Sequence, residues 1–171
     1  MQRVLIIGSA GAGKSTLSRR IGEALNIPVI HLDAFYWQPG WVATEREEWE
    51  QVVKAHVAKD TWVLDGNYSA TLDMRLERAD TVIFLDMPRL LCLYRVIKRR
   101  IQYRGRTRPD LNEGCPERLD WPFIVWIWNY RKRSRSKVIA KLEACGEEKQ
   151  VIILDSRHSI QNFISSLTRQ I

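Results

Sequence analysis

The feature that most constrains this chain is a glycine-rich run, Gly8-Ser9-Ala10-Gly11-Ala12-Gly13-Lys14-Ser15. It matches the phosphate-binding pattern GxxxxGK[ST] at every fixed position. Residues 4–7 before it are all apolar, as in a buried strand, and apolar residues recur at helical spacing over 14–25. A strand-loop-helix unit of this kind turns backbone N–H groups and a helix N-terminus toward a phosphate. The motif therefore predicts a nucleoside triphosphate site with Mg²⁺.

Each residue of the motif has an expected task. ATP would lie along residues 8–16, with contacts from Gly8, Ser9, Ala10, Gly11, Ala12, Gly13, Lys14, Ser15 and Thr16. Lys14 would reach the β- and γ-phosphates and act in catalysis, and the Ser15 hydroxyl would coordinate Mg²⁺. The alternative is a glycine-rich turn without a ligand, but the full motif in this context makes it a weak one.

Strand and helix patterns alternate along the rest of the chain. Apolar runs at 4–7, 29–32, 62–64, 81–85 and 151–154 predict five strands with helices between them. Such alternation indicates a three-layer α/β fold with a parallel sheet, here a single domain over 1–171. We expect Thr44 to cap the N-terminus of the helix that contains Trp49, and Ser159 to cap the last helix. One long helix should cover 122–145.

Three aspartates follow predicted strands, at the sheet edge where ligands of parallel sheets bind. Asp33 would orient or deprotonate an acceptor hydroxyl, or it could be a turn aspartate. Asp65 would support Mg²⁺ through water, and Asp86 would be structural. Trp37 lies in an aromatic segment, 35–41, which could stack on a base or an apolar acceptor, or could form a small core under the loop. Arg75 is a candidate for an anionic group of the acceptor.

Positive charge is concentrated in the second half of the chain. Residues 95–137 contain 13 basic and 4 acidic side chains, a net charge of +9. Within this stretch, residues 104–118 have no apolar period and predict a mobile lid. Arg100 would bind the nucleotide, and Arg104 and Arg108 would stabilise the transferred phosphoryl group. Basic residues beyond the lid could bind DNA or RNA, or could simply be solvated.

Other signals narrow the class of enzyme. The guanine-specifying NKxD motif is missing, no strand-end aspartate begins a DxxG switch, and no strand ends in Asp-Glu. The sequence therefore differs from signalling GTPases and from large ATPases, and a small phosphotransferase fits its motifs best. We expect no membrane span, because no apolar run approaches the roughly 20 residues that cross a bilayer, and no signal peptide, because the P-loop motif occupies the place of its apolar segment. The three cysteines are far apart and form no CxxC pair, which favours a cytoplasmic location. Cys115, in the lid, could be exposed.

The pattern of P-loop, strand-end aspartates and arginine lid resembles the adenylate kinase, shikimate kinase and gluconate kinase group. A closer resemblance is to the family of DNA topology modulation proteins (FlaR-like). It is carried by the segments His31-Leu32-Asp33, Trp37-Gln38-Pro39-Gly40-Trp41, Asp65-Gly66-Asn67-Tyr68, Arg104-Gly105-Arg106-Thr107-Arg108-Pro109-Asp110 and Gly114-Cys115-Pro116-Glu117. This resemblance implies a P-loop kinase fold with sheet order 2-3-1-4-5, and ATP binding.

Two functions stay open at this point. The first is phosphoryl transfer from Mg·ATP to a small molecule or a nucleotide. The second is a nucleic-acid-associated ATPase or regulator that affects DNA topology, which the family name and the basic stretch suggest. The aromatic segment after Asp33 replaces the acceptor-binding insertion of adenylate kinases, so the sequence does not name the acceptor.

Overall fold

A computed structural model describes residues 1–146 and 148–169 of this chain. The strands are β1 (Arg3–Gly8), β2 (Val29–His31), β3 (Trp37–Gln38), β4 (Val42–Ala43), β5 (Trp62–Asp65), β6 (Thr81–Leu85) and β7 (Gln150–Leu154). The α-helices are α1 (Lys14–Leu25), α2 (Leu32–Tyr36), α3 (Arg46–Val57), α4 (Leu72–Arg78), α5 (Arg89–Gln102), α6 (Trp121–Tyr130), α7 (Ser136–Glu143) and α8 (Arg157–Arg169). A 3₁₀ turn at Ser69–Thr71 and a π-helical turn at Arg131–Arg135 complete the order.

Five strands form one parallel sheet in the order β2-β5-β1-β6-β7. Counted among the five strands that the sequence predicts, this is the order 2-3-1-4-5, and the predicted fold class is confirmed. The P-loop strand β1 lies at the centre, between β5 and β6. The segments that follow β1, β2 and β5 therefore meet at one edge of the sheet.

The core has one layer on each face of this sheet. Successive side chains of a strand point to opposite faces, so the odd and even positions of β1 enter different layers. Leu5 and Ile7 pack toward α3, α4 and α7, and Val4 and Ile6 pack toward α1, α5 and α8. The central strands are apolar on both faces because helices cover both.

Several predicted helix boundaries are wrong, each for a local reason. The helix α3 begins at Arg46 without a side-chain cap, since the Thr44 hydroxyl instead bonds to the carbonyls of Phe35 and Tyr36. At the start of α8, Ser156 lies outside the helix and exchanges hydrogen bonds with Ser159, which is inside it. The predicted long helix over 122–145 is interrupted by the π-helical turn.

A two-stranded hairpin and the lid (residues 104–118) pack against each other. The hairpin is β3 paired with β4, and its Gly40 N–H donates to the Gly114 carbonyl at 2.8 Å. The Trp41 indole donates to the Pro116 carbonyl at 3.0 Å. Cys115 is fully buried and its thiol donates to the Gln38 carbonyl at 3.1 Å, so its expected exposure is wrong. The aromatic segment and the lid thus form a continuous wall.

Within the described residues, no helix combines the length and the apolar character needed to cross a lipid bilayer.

Candidate active site

A cleft of about 860 Å³ lies at the carboxyl ends of the central strands, beside the P-loop. Most of the residues singled out from the sequence line it: Ala10, Gly11, Ala12, Gly13, Lys14, Ser15, Thr16, Asp33, Trp37, Asp65 and Arg108. Gly8 and Ser9 lie buried behind the loop and take part through their carbonyl groups. The cleft is large enough for a nucleotide and a second small molecule.

The P-loop backbone is held from the side by α5. Gly11 has a φ of +74°, and a Cβ added there would lie 2.3 Å from the Cys92 carbonyl oxygen, so only glycine fits this approach. The Arg95 guanidinium donates to the carbonyls of Gly11 and Ala12, at 3.3 and 2.9 Å. With its carbonyls satisfied from outside, the loop can turn its N–H groups inward, as an anion cradle requires.

Lys14 lies folded against the loop that carries it. Its ammonium donates to the carbonyls of Gly8 and Ser9, at 3.0 and 3.1 Å. Burial lowers the pKa of Lys14, and the carboxylates of Asp33 and Asp65 oppose that effect. The amine is therefore poorly hydrated, and the two carboxylates near it favour its charged form, which is the form that binds phosphate oxygens.

Asp65 ends β5 and is buried. Its Oδ2 accepts from the Ser18 hydroxyl at 2.5 Å and contacts His31 Nδ1 at 2.8 Å. Burial disfavours the charged form of His31, but the hydrogen bond and charge of Asp65 outweigh it, so the pKa of His31 is raised. These two contacts fix the carboxylate beside α1, which is compatible with the predicted indirect support of Mg²⁺.

Asp33 is positioned by a short helix and not by a strand end. The strand β2 stops at His31, and Asp33 lies in the first turn of α2. Its Oδ1 accepts from the Tyr68 hydroxyl at 2.7 Å. Burial and the adjacent Asp33 charge raise the pKa of Tyr68, so the phenol keeps its proton and remains a donor.

Two tryptophans border the cleft near Asp33. The rings of Trp37 and Trp41 lie 5.4 Å apart in an edge-to-face arrangement, and the Arg118 guanidinium lies 4.7 Å from the Trp41 ring centre. Both indoles line the cleft, so the aromatic segment contributes to the site. Tyr36 packs instead with Trp49 and Tyr68 in the core beneath. Part of the segment therefore packs as core and part of it lines the cleft, and stacking on an acceptor stays a prediction.

The lid arginines differ sharply in placement. Arg108 is 9% exposed, lines the cleft and forms ion pairs with Glu117 Oε2 at 2.7 Å and Asp110 Oδ2 at 3.0 Å. Glu117 Oε1 pairs with Arg99 at 2.9 Å. Arg100 and Arg104, for which nucleotide and catalytic contacts are predicted, are not among the residues that line the cleft, and Arg104 is exposed.

Arg75 is placed differently from the sequence prediction. It is completely buried and donates to the carbonyls of Thr71, Gly66 and Tyr68, at 3.2 and 3.0 Å for the first two. Burial lowers its pKa to about 10. With its donors engaged by main-chain oxygens, Arg75 is a structural residue of the loop after β5, and the predicted contact with an acceptor anion is wrong.

The sequence predicts that arginines from 99 to 108 close over the phosphates, and of these Arg99 and Arg108 line the cleft. Sequence reasoning gave no specific role to Arg95, Asp110, Glu117 or Tyr68. Helical spacing could have placed Arg95 and Arg99 beside the buried face of α5, because each follows a buried residue by three positions: Cys92 for Arg95 and Val96 for Arg99. Nothing in the local sequence distinguishes the two lid carboxylates, since their partners are distant in the chain.

The basic stretch is partly neutralised. Asp86 accepts from Arg135 at 2.7–2.9 Å and lies 4.0 Å from Arg131, so this aspartate is structural. Among the more N-terminal members of the stretch, Arg95, Arg99 and Arg108 face the cleft. Lys132, Arg133 and Lys137 are exposed.

Solved structures share this architecture. Shikimate kinase from Bacteroides thetaiotaomicron matches 99% of this chain and 97% of its own, with a TM-score of 0.59 and 17% identity. Shikimate kinase from Acinetobacter baumannii, solved with shikimate, matches 99% and 92%, with a TM-score of 0.55 and 19% identity. A gluconokinase from Sinorhizobium meliloti matches 99% and 93%, with a TM-score of 0.53 and 17% identity.

No protein-family model matches the sequence, and no curated protein does. The resemblance to the DNA topology modulation (FlaR-like) family therefore stays a prediction. What this chain shares with shikimate kinase and gluconokinase over nearly its whole length is the P-loop kinase fold.

Proposed function

We propose that this chain is an ATP-dependent kinase that transfers the γ-phosphoryl group of Mg·ATP to a hydroxyl of a small molecule or nucleotide. The observation that carries the proposal is the convergence of Lys14, Ser15, Asp33 and Arg108 on one cleft. In that order, they would supply a cation that binds phosphate, a ligand for the metal, a carboxylate that orients the acceptor, and a second cation from the lid. Phosphoryl transfer needs chiefly this positioning and charge compensation.

The phosphate cradle fits a triphosphate with its metal. The P-loop presents its N–H groups at the start of α1, and the Ser15 hydroxyl lies at the first turn. Bound Mg²⁺ would neutralise charge on the phosphates and align them for in-line attack. Ser15 would coordinate it, and Asp65 would support it through water, being held in place by Ser18 and His31.

Charge on the transferred group would be balanced from two sides. Lys14 approaches from the P-loop and Arg108 from the lid. Burial and the neighbouring charge of Arg108 lower the pKa of Arg99, which reflects two guanidinium groups crowded beside one carboxylate, Glu117. An anion that enters between the two guanidinium groups would reduce their mutual repulsion. The pair would therefore stabilise the negative charge of the transition state.

Asp33 would receive the acceptor hydroxyl. The Tyr68 hydroxyl holds one carboxylate oxygen, Oδ1, and this leaves the other to hydrogen-bond the acceptor. In a loose transition state the proton leaves late, so the carboxylate's main task is to orient the attacking oxygen. Trp37 and Trp41 would cover the acceptor and exclude water, whose attack on ATP would waste the phosphoryl group.

An acceptor panel tests this function. ADP release from Mg·ATP would be measured with nucleosides, nucleoside monophosphates, sugar acids, shikimate-like hydroxy acids, and DNA or RNA. The proposal expects one small-molecule class to raise turnover well above hydrolysis. Asp33→Asn should remove that increase, and Asp60→Asn, at an exposed turn far from the cleft, should retain it. Acceptor-stimulated turnover that survives Asp33→Asn would contradict the role of Asp33.

A nucleic-acid-associated ATPase remains the second prediction, because Lys132, Arg133 and Lys137 are exposed in and beside the π-helical turn. It expects turnover to rise with DNA or RNA alone, and binding to weaken steeply with salt. Binding that is indifferent to salt would argue against it.

A further inference from the structure

A lid carboxylate lies against the metal-ligand position of the P-loop. The Ser15 hydroxyl donates to Asp110 Oδ2 at 2.9 Å, joining the first turn of α1 to a residue 95 positions away in the chain. Asp110 is 7% exposed and lines the cleft. No sequence motif of a P-loop assigns a task to a lid aspartate, so this contact calls for its own explanation.

The spacing of these two oxygens is that of neighbouring magnesium ligands. Mg²⁺ holds its ligands at about 2.0–2.1 Å in a near-ideal octahedron, so adjacent ligand oxygens lie roughly 2.8–3.0 Å apart. The distance from Ser15 Oγ to Asp110 Oδ2, 2.9 Å, falls in this range. If the Ser15 hydroxyl rotates its proton away from Asp110, a cation could bind between the two oxygens in place of that proton. The lid would then need to move very little.

Charge gives the same indication. An ionised carboxylate beside a triphosphate is repelled unless a cation lies between them. Asp110 is buried, and the oxygen that accepts from Ser15, Oδ2, also accepts from the Arg108 guanidinium at 3.0 Å. The carboxylate therefore lies in surroundings that supply cations.

The other acidic candidate, Asp65, contacts a different residue of α1. Oδ2 of Asp65 is taken by Ser18 and His31. Asp110, by contrast, makes direct contact with Ser15 itself. One or two carboxylates together with phosphate oxygens are the usual protein environment of Mg²⁺.

We propose that Asp110 is a direct carboxylate ligand of the magnesium ion, brought by the lid to the P-loop serine. Resting on the proposed kinase function, this inference couples metal binding to the position of the lid. Since Asp110 already contacts Ser15, the metal would hold the lid in this position over the nucleotide, with Arg108, two residues before Asp110, beside the phosphates.

The test separates metal binding from catalysis. Binding of AMPPNP, a non-hydrolysable ATP analogue, would be measured by calorimetry in Mn²⁺ and in EDTA. The proteins are wild type, Asp110→Asn, and Glu113→Gln as a control, because Glu113 is an exposed carboxylate of the same lid. Asp110→Asn should weaken binding in Mn²⁺ by about tenfold or more. In EDTA its affinity should be equal or higher, since a negative charge has been removed.

Each other outcome is decisive. If Asp110→Asn binds Mn·AMPPNP as tightly as wild type or more tightly, Asp110 merely covers Ser15 and the inference fails. If Glu113→Gln weakens Mn²⁺-dependent binding as much, the effect is one of lid charge and the inference also fails. Asp110→Glu, which keeps the carboxylate, should recover part of the Mn²⁺-dependent affinity and guards against simple misfolding. Wild type that binds AMPPNP in neither condition would instead overturn the kinase function itself.

Discussion

Glu117 Oε2 lies 2.7 Å from Arg108 Nε, and this contact directs a buried lid arginine that lines the cleft. The other oxygen of Glu117 holds Arg99 of α5 at 2.9 Å. One buried carboxylate therefore ties the lid to the helix behind the P-loop. The pair fixes a guanidinium group where charge would develop on a transferred phosphoryl group.

Arg108 and Arg104 should respond very differently to truncation. Arg108→Ala is expected to lower kcat by roughly 10³-fold, because a lid arginine that contacts the phosphoryl group stabilises only the transition state. Arg104→Ala should stay within about threefold of wild type, since its side chain is exposed and outside the cleft. Steady-state ADP release with the acceptor found in the panel measures both. Equal losses in the two variants would contradict the assignment.

Arg75 should matter for stability. Arg75→Ala removes a fully buried side chain and leaves carbonyls of Thr71, Gly66 and Tyr68 without their donor. We expect the free energy of unfolding to fall by about 3 kcal/mol or more, from lost packing and unsatisfied polar groups. Urea denaturation measures it, with Arg46→Ala as control because that side chain is 85% exposed. A change below about 1 kcal/mol in Arg75→Ala would show that the loop is held in another way.

The parts of the fold set by local pattern could be predicted from the sequence. The buried strands β1 and β6 and the bounds of α1 follow from apolar periodicity and from the P-loop motif. Boundaries failed where a side chain had a tertiary partner: Thr44 binds the carbonyls before the hairpin instead of capping α3. Such competition depends on packing that a local pattern does not contain.

The site was predictable to the same extent. Lys14, Ser15, Asp33 and Asp65 belong to motifs or strand ends, and they do line the cleft. Arg75 was misplaced because a buried arginine serving carbonyls and an exposed one awaiting an anion look alike in sequence. The roles of Glu117 and Asp110 depend on pairing across long chain separations, which sequence spacing does not reveal.

Asp80 should give stability a pH dependence away from the cleft. Burial disfavours its charged form, but hydrogen bonds from Thr81 and from the N–H groups of Gln2 and Arg3 outweigh it and lower its pKa. A lowered pKa in the folded state stabilises the protein above the unfolded value, near pH 4, and the effect is lost as pH falls through the folded value. Asp80→Asn should therefore cost about 1 kcal/mol at pH 7, a modest value because the side chain is 28% exposed.

Urea denaturation of wild type and Asp80→Asn at a series of pH values tests this. The difference in the free energy of unfolding should shrink steadily below about pH 4, as the wild-type carboxyl becomes protonated. A difference that stays constant down to pH 2.5 would mean that the negative charge of Asp80 does not contribute to the free energy of unfolding.

Transfer of the γ-phosphoryl group from Mg·ATP, compared between wild type and Lys14→Ala, tests the proposed kinase function at its phosphate-binding residue. Lys14→Ala should abolish transfer while its circular dichroism spectrum and melting temperature stay close to wild type. The reason is that, among the hydrogen bonds of the described residues, the Lys14 ammonium donates only to the carbonyls of Gly8 and Ser9 in its own loop. Lys54→Ala, on exposed α3 surface, should transfer at the wild-type rate. Wild-type turnover in a folded Lys14→Ala protein would contradict the proposal that this cleft is a kinase active site.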